Sequence, residues 1–293
     1  MKNYFNWLII TLIFSLNYSY AQDKDFQISV GSQLYISKLD WSIAGTIDGT
    51  DPNVLSELKY SNVLTLGPEL EFVYRVHKKI SVFLDYQRGL TISGKANDRD
   101  FSGDNRTNMT YDETFLSNKG YQSSIKLGGR YTFLNFNRIS FNTGAHINQN
   151  KHRFYLLKDE IPDLNTTYDT RWKVLSLNIG ADYIMNKETS ISSEVAYSFI
   201  KYGSKANWNL IKDFQHPLSF EQWANGNGWS IKIQVERKIA DRFNLYIGML
   251  SGKQSSSDGV DIAYYKYGNS KTTRFNGSSY YTTGVSFGLI YGI

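Results

Sequence analysis

The sequence predicts an all-β protein, a single antiparallel transmembrane β-barrel of about ten strands. Three observations predict it. First, the stretch 280–292 alternates. Tyr281, Thr283, Val285, Phe287, Leu289 and Tyr291 share one face, and Tyr280, Thr282, Gly284, Ser286 and Gly288 share the other. Side chains of a strand point to opposite faces in turn, so this is one apolar and one polar wall, with tyrosines at the rims of the apolar one. Second, similar segments recur along the chain, joined by short and long connections in alternation, as in outer-membrane barrels. Third, residues 1–21 read as a signal peptide: Lys2, an apolar run 8–16, and small residues Ser19 and Ala21. That run is shorter than the roughly 20 residues a helical span needs. With no longer apolar stretch in the chain, a membrane location requires a closed barrel. The expected organisation is a signal peptide at 1–21 and one barrel at 22–293.

Strands are expected near 25–45, 57–76, 79–95, 119–134, 138–156, 169–185, 189–206, 226–238, 242–253 and 278–292. Short polar turns join them near 76–79, 134–137, 185–188 and 239–242. Long loops are expected near 46–56, 96–118, 157–168, 207–225 and 254–277. Alternation supports the individual strands. Leu64, Leu66, Leu70, Phe72 and Tyr74 oppose Glu69 and Glu71; Ile80, Val82, Leu84 and Tyr86 oppose Ser81, Asp85 and Gln87. Tyr121, Ile125, Leu127, Tyr131 and Phe133 oppose Lys126 and Arg130; Trp229, Ile231, Ile233 and Val235 oppose Lys232 and Glu236. A charge on the lipid face costs roughly 2–4 kcal/mol for Lys or Arg at the bilayer midplane, so the charged faces must look inward. The lumen should then hold Glu69, Glu71, Asp85, Lys126, Arg130, Asp182, Glu194, Lys232 and Glu236 beside His146. In a barrel this narrow such groups are expected to neutralise one another as a plug.

Composition bounds the function. Aromatic residues make up 15% of the chain, with 22 Tyr and only 4 Pro. There are no cysteines, which excludes thiol chemistry and a Cys-based zinc site. No histidine pair has ligand spacing, so neither metal nor cofactor is expected. The net charge of +5 is scattered, and nucleic acid is not an expected partner; outer-membrane lipid is.

Two constellations could carry chemistry. Asp98 and Asp100 lie two residues apart and would share a face of a continuing strand. Close carboxylates can share a proton or hold a water between them. The fourth long loop carries Asp213 and His216 among Trp208, Phe220 and Trp223, and His216 is the best general-base candidate in the chain. The bland readings are a solvated acidic turn and a histidine packed beside Pro217.

At this point the chain resembles the omptin family of outer-membrane proteases, ten-stranded barrels with five long outer loops. Ser56-Glu-Leu-Lys-Tyr60 is similar to the family's Ser-x-Leu-Asp-Trp, Asp98-Arg-Asp100-Phe101 to its Asp-x-Asp-Trp, and Tyr197-Ser198 to a Tyr-Ser pair ahead of the fourth loop. The resemblance implies a catalytic Asp–Asp pair at Asp98 and Asp100. The family's second pair, Asp-x-His, falls on Asn207-Trp208-Asn209, where a neutral amide cannot accept a proton. The tract 207–220 also resembles a sister group, the Protochlamydia-type outer membrane proteins. The expectation is therefore an omptin fold without omptin chemistry, with outer loops serving binding or a structural role. Two alternatives stand beside it: a surface endopeptidase using Asp98, Asp100, Asp213 and His216, and a narrow pore.

Overall fold

The computed structural model describes residues 25–293, and the expected signal peptide at 1–21 lies outside them. Eleven strands follow one another: β1 (Phe26–Ile43), β2 (Ser56–His77), β3 (Ile80–Gly103), β4 (Thr107–Leu116), β5 (Gly120–Phe136) and β6 (Ile139–Lys158). The rest are β7 (Ile161–Ile184), β8 (Thr189–Asn207), β9 (Phe220–Ala240), β10 (Phe243–Tyr264) and β11 (Ser270–Gly292). All pairings are antiparallel. The ring closes where β1 pairs with β11, Gln27 opposite Gly292 through Leu39 opposite Tyr280. In the lower, membrane part of the ring no edge strand is left among the described residues, so the ladder groups there find partners without water.

The count differs from ten because one stave is broken. β4 pairs with the upper half of β3 and β5 with its lower half, and the strand is interrupted at 117–119 between them. Ten staves therefore surround the lumen, in eleven segments. The long loops expected at 96–118, 157–168 and 254–277 are corrected as well. They are mostly strand, the upper arms of β3, β4, β7, β10 and β11. Strands here run to 24 residues, whereas a tilted strand crosses a bilayer in about 9–11. The arms stand in water, where neither face must be apolar, so the period-2 signal that marks the membrane part is absent from their sequence.

The outward belt is apolar, as the alternation predicts. Leu127, Leu177, Phe199, Ile231, Ile247 and Phe287 all project from it, exposed. Farther toward the long arms, the outward positions turn basic on one strand after another, with Lys38, Lys59, Lys95, Lys173 and Lys201 exposed. Everything beyond these lysines stands outside the membrane.

The interior has three layers. Lowest is the polar lumen. Asn142 donates to Asp182 at 2.9 Å, Asn178 to Glu194 at 2.9 Å and Gln234 to Glu236 at 3.0 Å. The Tyr246 hydroxyl donates to Glu69, and Arg130 lies 3.5 Å from Glu194. A cavity of about 160 Å³ remains, edged by Glu69, Lys126, His146, Glu194 and Lys232. Above it, inside the aqueous half of the barrel, sits the hydrophobic core. Tyr60 stacks on Phe154 at 4.6 Å and Tyr202 on Phe275 at 5.5 Å, with Trp172 tilted against Tyr202 at 4.5 Å. All five rings are buried. Rings of this kind each remove roughly 150–250 Å² from contact with water, and they make this layer the packed centre of the molecule. The third layer is an open cleft at the mouth.

Candidate functional site

The cleft rests on the aromatic layer and has a volume of about 870 Å³. That is in the range of a small-molecule pocket. One wall is the hairpin of β3 and β4 with the start of β2. It carries Asp98, Asp100, Phe101, Tyr111 and Phe115. Asp98 lies opposite Leu58 of β2, and Asp100 opposite Ser56. Continued strand geometry through this segment is what sets both carboxylates on the inner face, since residues two apart share a side. The facing wall carries Trp208, Phe214 and Phe220, and the third side carries Asp261, Ala263 and Lys271 from β10 and β11. Trp41 forms part of the floor. Its ring stacks on Tyr168 at 5.4 Å and meets Phe220 at 5.7 Å and Trp208 at 6.5 Å.

The carboxylates are held in a poorly hydrating place. Asp98 is only 8% exposed. Burial, then the negative charge of Asp100, pushes its carboxyl up to about 7, against the pull of the Arg99 backbone amide. Burial also raises Asp100, and a hydrogen bond from Ser56 partly offsets this. Asp261 is raised by burial to about 6. It accepts hydrogen bonds from Gln222 Nε2 at 2.9 Å and Thr273 Oγ1 at 3.2 Å. Gln222 Oε1 in turn accepts from the Tyr168 hydroxyl at 2.7 Å and the Ser204 hydroxyl at 2.8 Å. This chain ties β7, β8, β9, β10 and β11 together beneath the cleft.

The structure brings Asp98 and Asp100 to the cleft but leaves the other two candidates away from it. His216 Nδ1 lies 2.9 Å from Asn207 Oδ1, and Nε2 lies 3.2 Å from the Ile211 carbonyl, so the ring is held within its own exposed loop. Asp213 is also exposed. Neither is among the residues that line the cleft. At 207–209 it is Trp208 that faces inward. Asn207 is bound to His216, while Asn209 accepts from the Asn165 amide at 3.0 Å and donates to the Asp163 carbonyl at 2.8 Å. The two amides hold the loop to β7 and to itself.

Of the aromatic residues expected in the fourth long loop, Trp208 and Phe220 line the cleft, and Trp223 points outward from β9. Sequence reasoning missed Trp41, Gln222 and Asp261. Trp41 carried a signal, since it is the inward residue of a strand whose neighbours alternate. Asp261 lay in a stretch taken as loop and carried none.

The barrel was compared with solved structures, curated proteins and family models. The outer membrane protease OmpT of Escherichia coli superposes with a TM-score of 0.73 at 12% identity, covering 95% of this chain and 99% of that one. The outer membrane protein OprG of Pseudomonas aeruginosa aligns over 92% of this chain and 97% of its own, at 10% identity and a TM-score of 0.38. No curated protein matches the chain by sequence. The likeness to OmpT is one of fold: an outer-membrane β-barrel with long arms at one end. A family model described as Protochlamydia outer membrane protein matches residues 28–293, nearly all of the described chain. This bacterial outer-membrane β-barrel therefore belongs to the Protochlamydia outer membrane protein family.

Proposed function

We propose that the barrel is a non-catalytic binding protein of the outer membrane, and that its mouth cleft takes a largely apolar ligand. One observation carries this reading: the wall facing Asp98 and Asp100 presents Trp208, Phe214 and Phe220 and no proton acceptor of its own. A general base must reach within about 3 Å of the proton it takes, directly or through one water. Aromatic walls with a few placed polar groups are instead the usual make-up of a binding pocket. The packed aromatic layer beneath the cleft supports a binding role over a narrow pore.

The test pairs turnover with binding. Purified protein in lipid nanodiscs is incubated with a basic fluorogenic peptide and, separately, titrated with an uncharged aromatic probe. The expected result is no hydrolysis above that of Asp98→Asn, together with saturable quenching of tryptophan fluorescence that Trp208→Ala abolishes. Hydrolysis lost in Asp98→Asn would overturn the reading.

The second reading is an omptin-type endopeptidase. The placement of Asp98 and Asp100 side by side at the cleft favours it. It requires Asp213 and His216 to swing inward from their own loop, and His216→Ala would then abolish cleavage.

A further inference from the structure

We propose that the mouth cleft selects an organic cation, an ammonium group on an aromatic or branched aliphatic body, with Asp98 and Asp100 receiving the charge and Trp41, Phe101, Trp208 and Phe220 receiving the body. The inference deepens the binding role proposed above and rests on it.

Charge complementarity is the first support. Four carboxylates line the cleft, Asp51, Asp98, Asp100 and Asp261, against one ammonium, Lys271. No Lys or Arg among the described residues forms an ion pair with Asp98, Asp100 or Asp261. The contrast with Glu57 is direct. Glu57 lies one residue from Ser56 on β2 and points to the outer wall. There it gathers Arg99, Arg106 at 2.8 Å and Lys59 at 3.2 Å. The strand pair thus places its cations outside and its bare acids inside. Arg99, between Asp98 and Asp100 in sequence, is turned to Glu57, with its guanidinium carbon 5.9 Å from the centre of the Phe101 ring.

Burial is the second support. Asp98 is more than nine-tenths buried, lines the cleft, and has no ion pair, the Arg99 backbone amide being the only hydrogen-bond partner its carboxyl shows among the described residues. A carboxylate in such a place is costly unless a positive charge reaches it. In a concave, weakly hydrated site its field concentrates on whatever enters. A neutral ligand gains nothing from it, and an anion is repelled.

The walls are the third support. Trp41, Trp208 and Phe220 form one cluster of rings on this space, and Phe101 lines it from the acidic side. Aromatic faces attract cations, Trp most strongly, and desolvation increases the effect. Trp41 Nε1 is buried and has no protein partner, so the floor also keeps one donor for a polar substituent on the ligand. Asp261 is committed to Gln222 and Thr273 and plays the lesser part.

The experiment uses the intact barrel in nanodiscs and two matched probes, phenyltrimethylammonium and its uncharged carbon analogue tert-butylbenzene. Binding is read by tryptophan fluorescence, and folding of each variant by heat-modifiable mobility. The expected result is that wild type binds the cation about tenfold more tightly than the neutral probe. In Asp98→Asn/Asp100→Asn the cation falls to the affinity of the neutral probe, whose own affinity is unchanged. Equal affinity of the two probes for wild type would overturn the cation preference and leave the binding role standing. Failure of both probes to bind would remove both. N-acetyl-lysinamide provides a third arm: affinity equal to that of the aryl cation would show that charge alone suffices and would overturn the role of the aromatic walls.

Discussion

His216 Nδ1, on the excursion between β8 and β9, sits 2.9 Å from Asn207 Oδ1, nine residues earlier at the end of β8. The most base-like side chain of the outer loops is thus used to fold the loop, and the residue that omptin geometry would place opposite Asp98 is its partner. Replacing His216 by Ala removes an exposed local contact. Surface changes of this kind stay within about 0.5–1 kcal/mol. The expected outcome is unchanged peptide turnover and unchanged probe binding, with a small loss of thermal stability. A loss of turnover in His216→Ala would favour the endopeptidase reading.

Asp98 is expected to make stability, and the proposed cation binding, depend on pH. Its carboxyl is raised from the ordinary value to about 7. Between about pH 4 and pH 7 the folded state keeps a proton that the unfolded state has released. Stability therefore falls as pH rises through this window, by about 1.4 kcal/mol for each unit of difference. The titratable groups around Asp98 are Asp100 on its own strand, Tyr60 of β2, and Tyr111 and Glu113 of β4, while Arg99 reaches it through its backbone amide alone. Asp98→Asn is expected to raise the unfolding midpoint at pH 8 and to leave it unchanged at pH 4. Cation affinity of wild type should rise from pH 5.5 to pH 8 for the same reason. A gain of equal size at both pH values would show that the effect is not one of charge.

Gln222 is the hinge of the polar chain beneath the cleft, fully buried and bonded to Tyr168, Ser204 and Asp261. Gln222→Leu keeps much of the volume but leaves the Tyr168 and Ser204 hydroxyls and one oxygen of Asp261 without that partner. Each such loss costs about 1–3 kcal/mol. Urea unfolding in detergent should show a loss of several kcal/mol, larger than that of Thr273→Val. The Asp261 carboxyl should move further up, because the bond from Gln222 holds it down.

The belt predicts a depth-dependent cost. Ile247 projects outward from the membrane part of β10 and is 57% exposed. Ile247→Arg should cost about 2–4 kcal/mol if it lies at the midplane. Lys201→Arg, at the upper edge of the belt, should cost almost nothing. Reversible unfolding into lipid vesicles measures both.

The membrane half of the barrel was legible because lipid enforces a simple rule. Tyr281, Val285, Phe287 and Leu289 had to alternate with small or polar residues, and they do so in the ring. The outer half was not legible for the converse reason. Water tolerates both faces of an arm, so 96–103 and 254–264, rich in Ser, Asp and Gly, looked like loop although the ladder continues through them, with register shifts at Asp100/Phe101 and Ser256/Gly259. The pair Asp98 and Asp100 was still found, because a spacing of two needs only local strand geometry.

The amino-acid sequence alone determined that this chain must close into a lipid-facing cylinder, which side chains face the bilayer, and that two carboxylates stand together near its mouth. Only the tertiary structure decided what those carboxylates face. Trp41, Trp208 and Asp261 come from strands far apart in sequence, and no local period records which of them meet across a lumen. The ring closure, by bringing β1, β9 and β10 around β3, turned an isolated acidic pair into the charged side of an aromatic cleft.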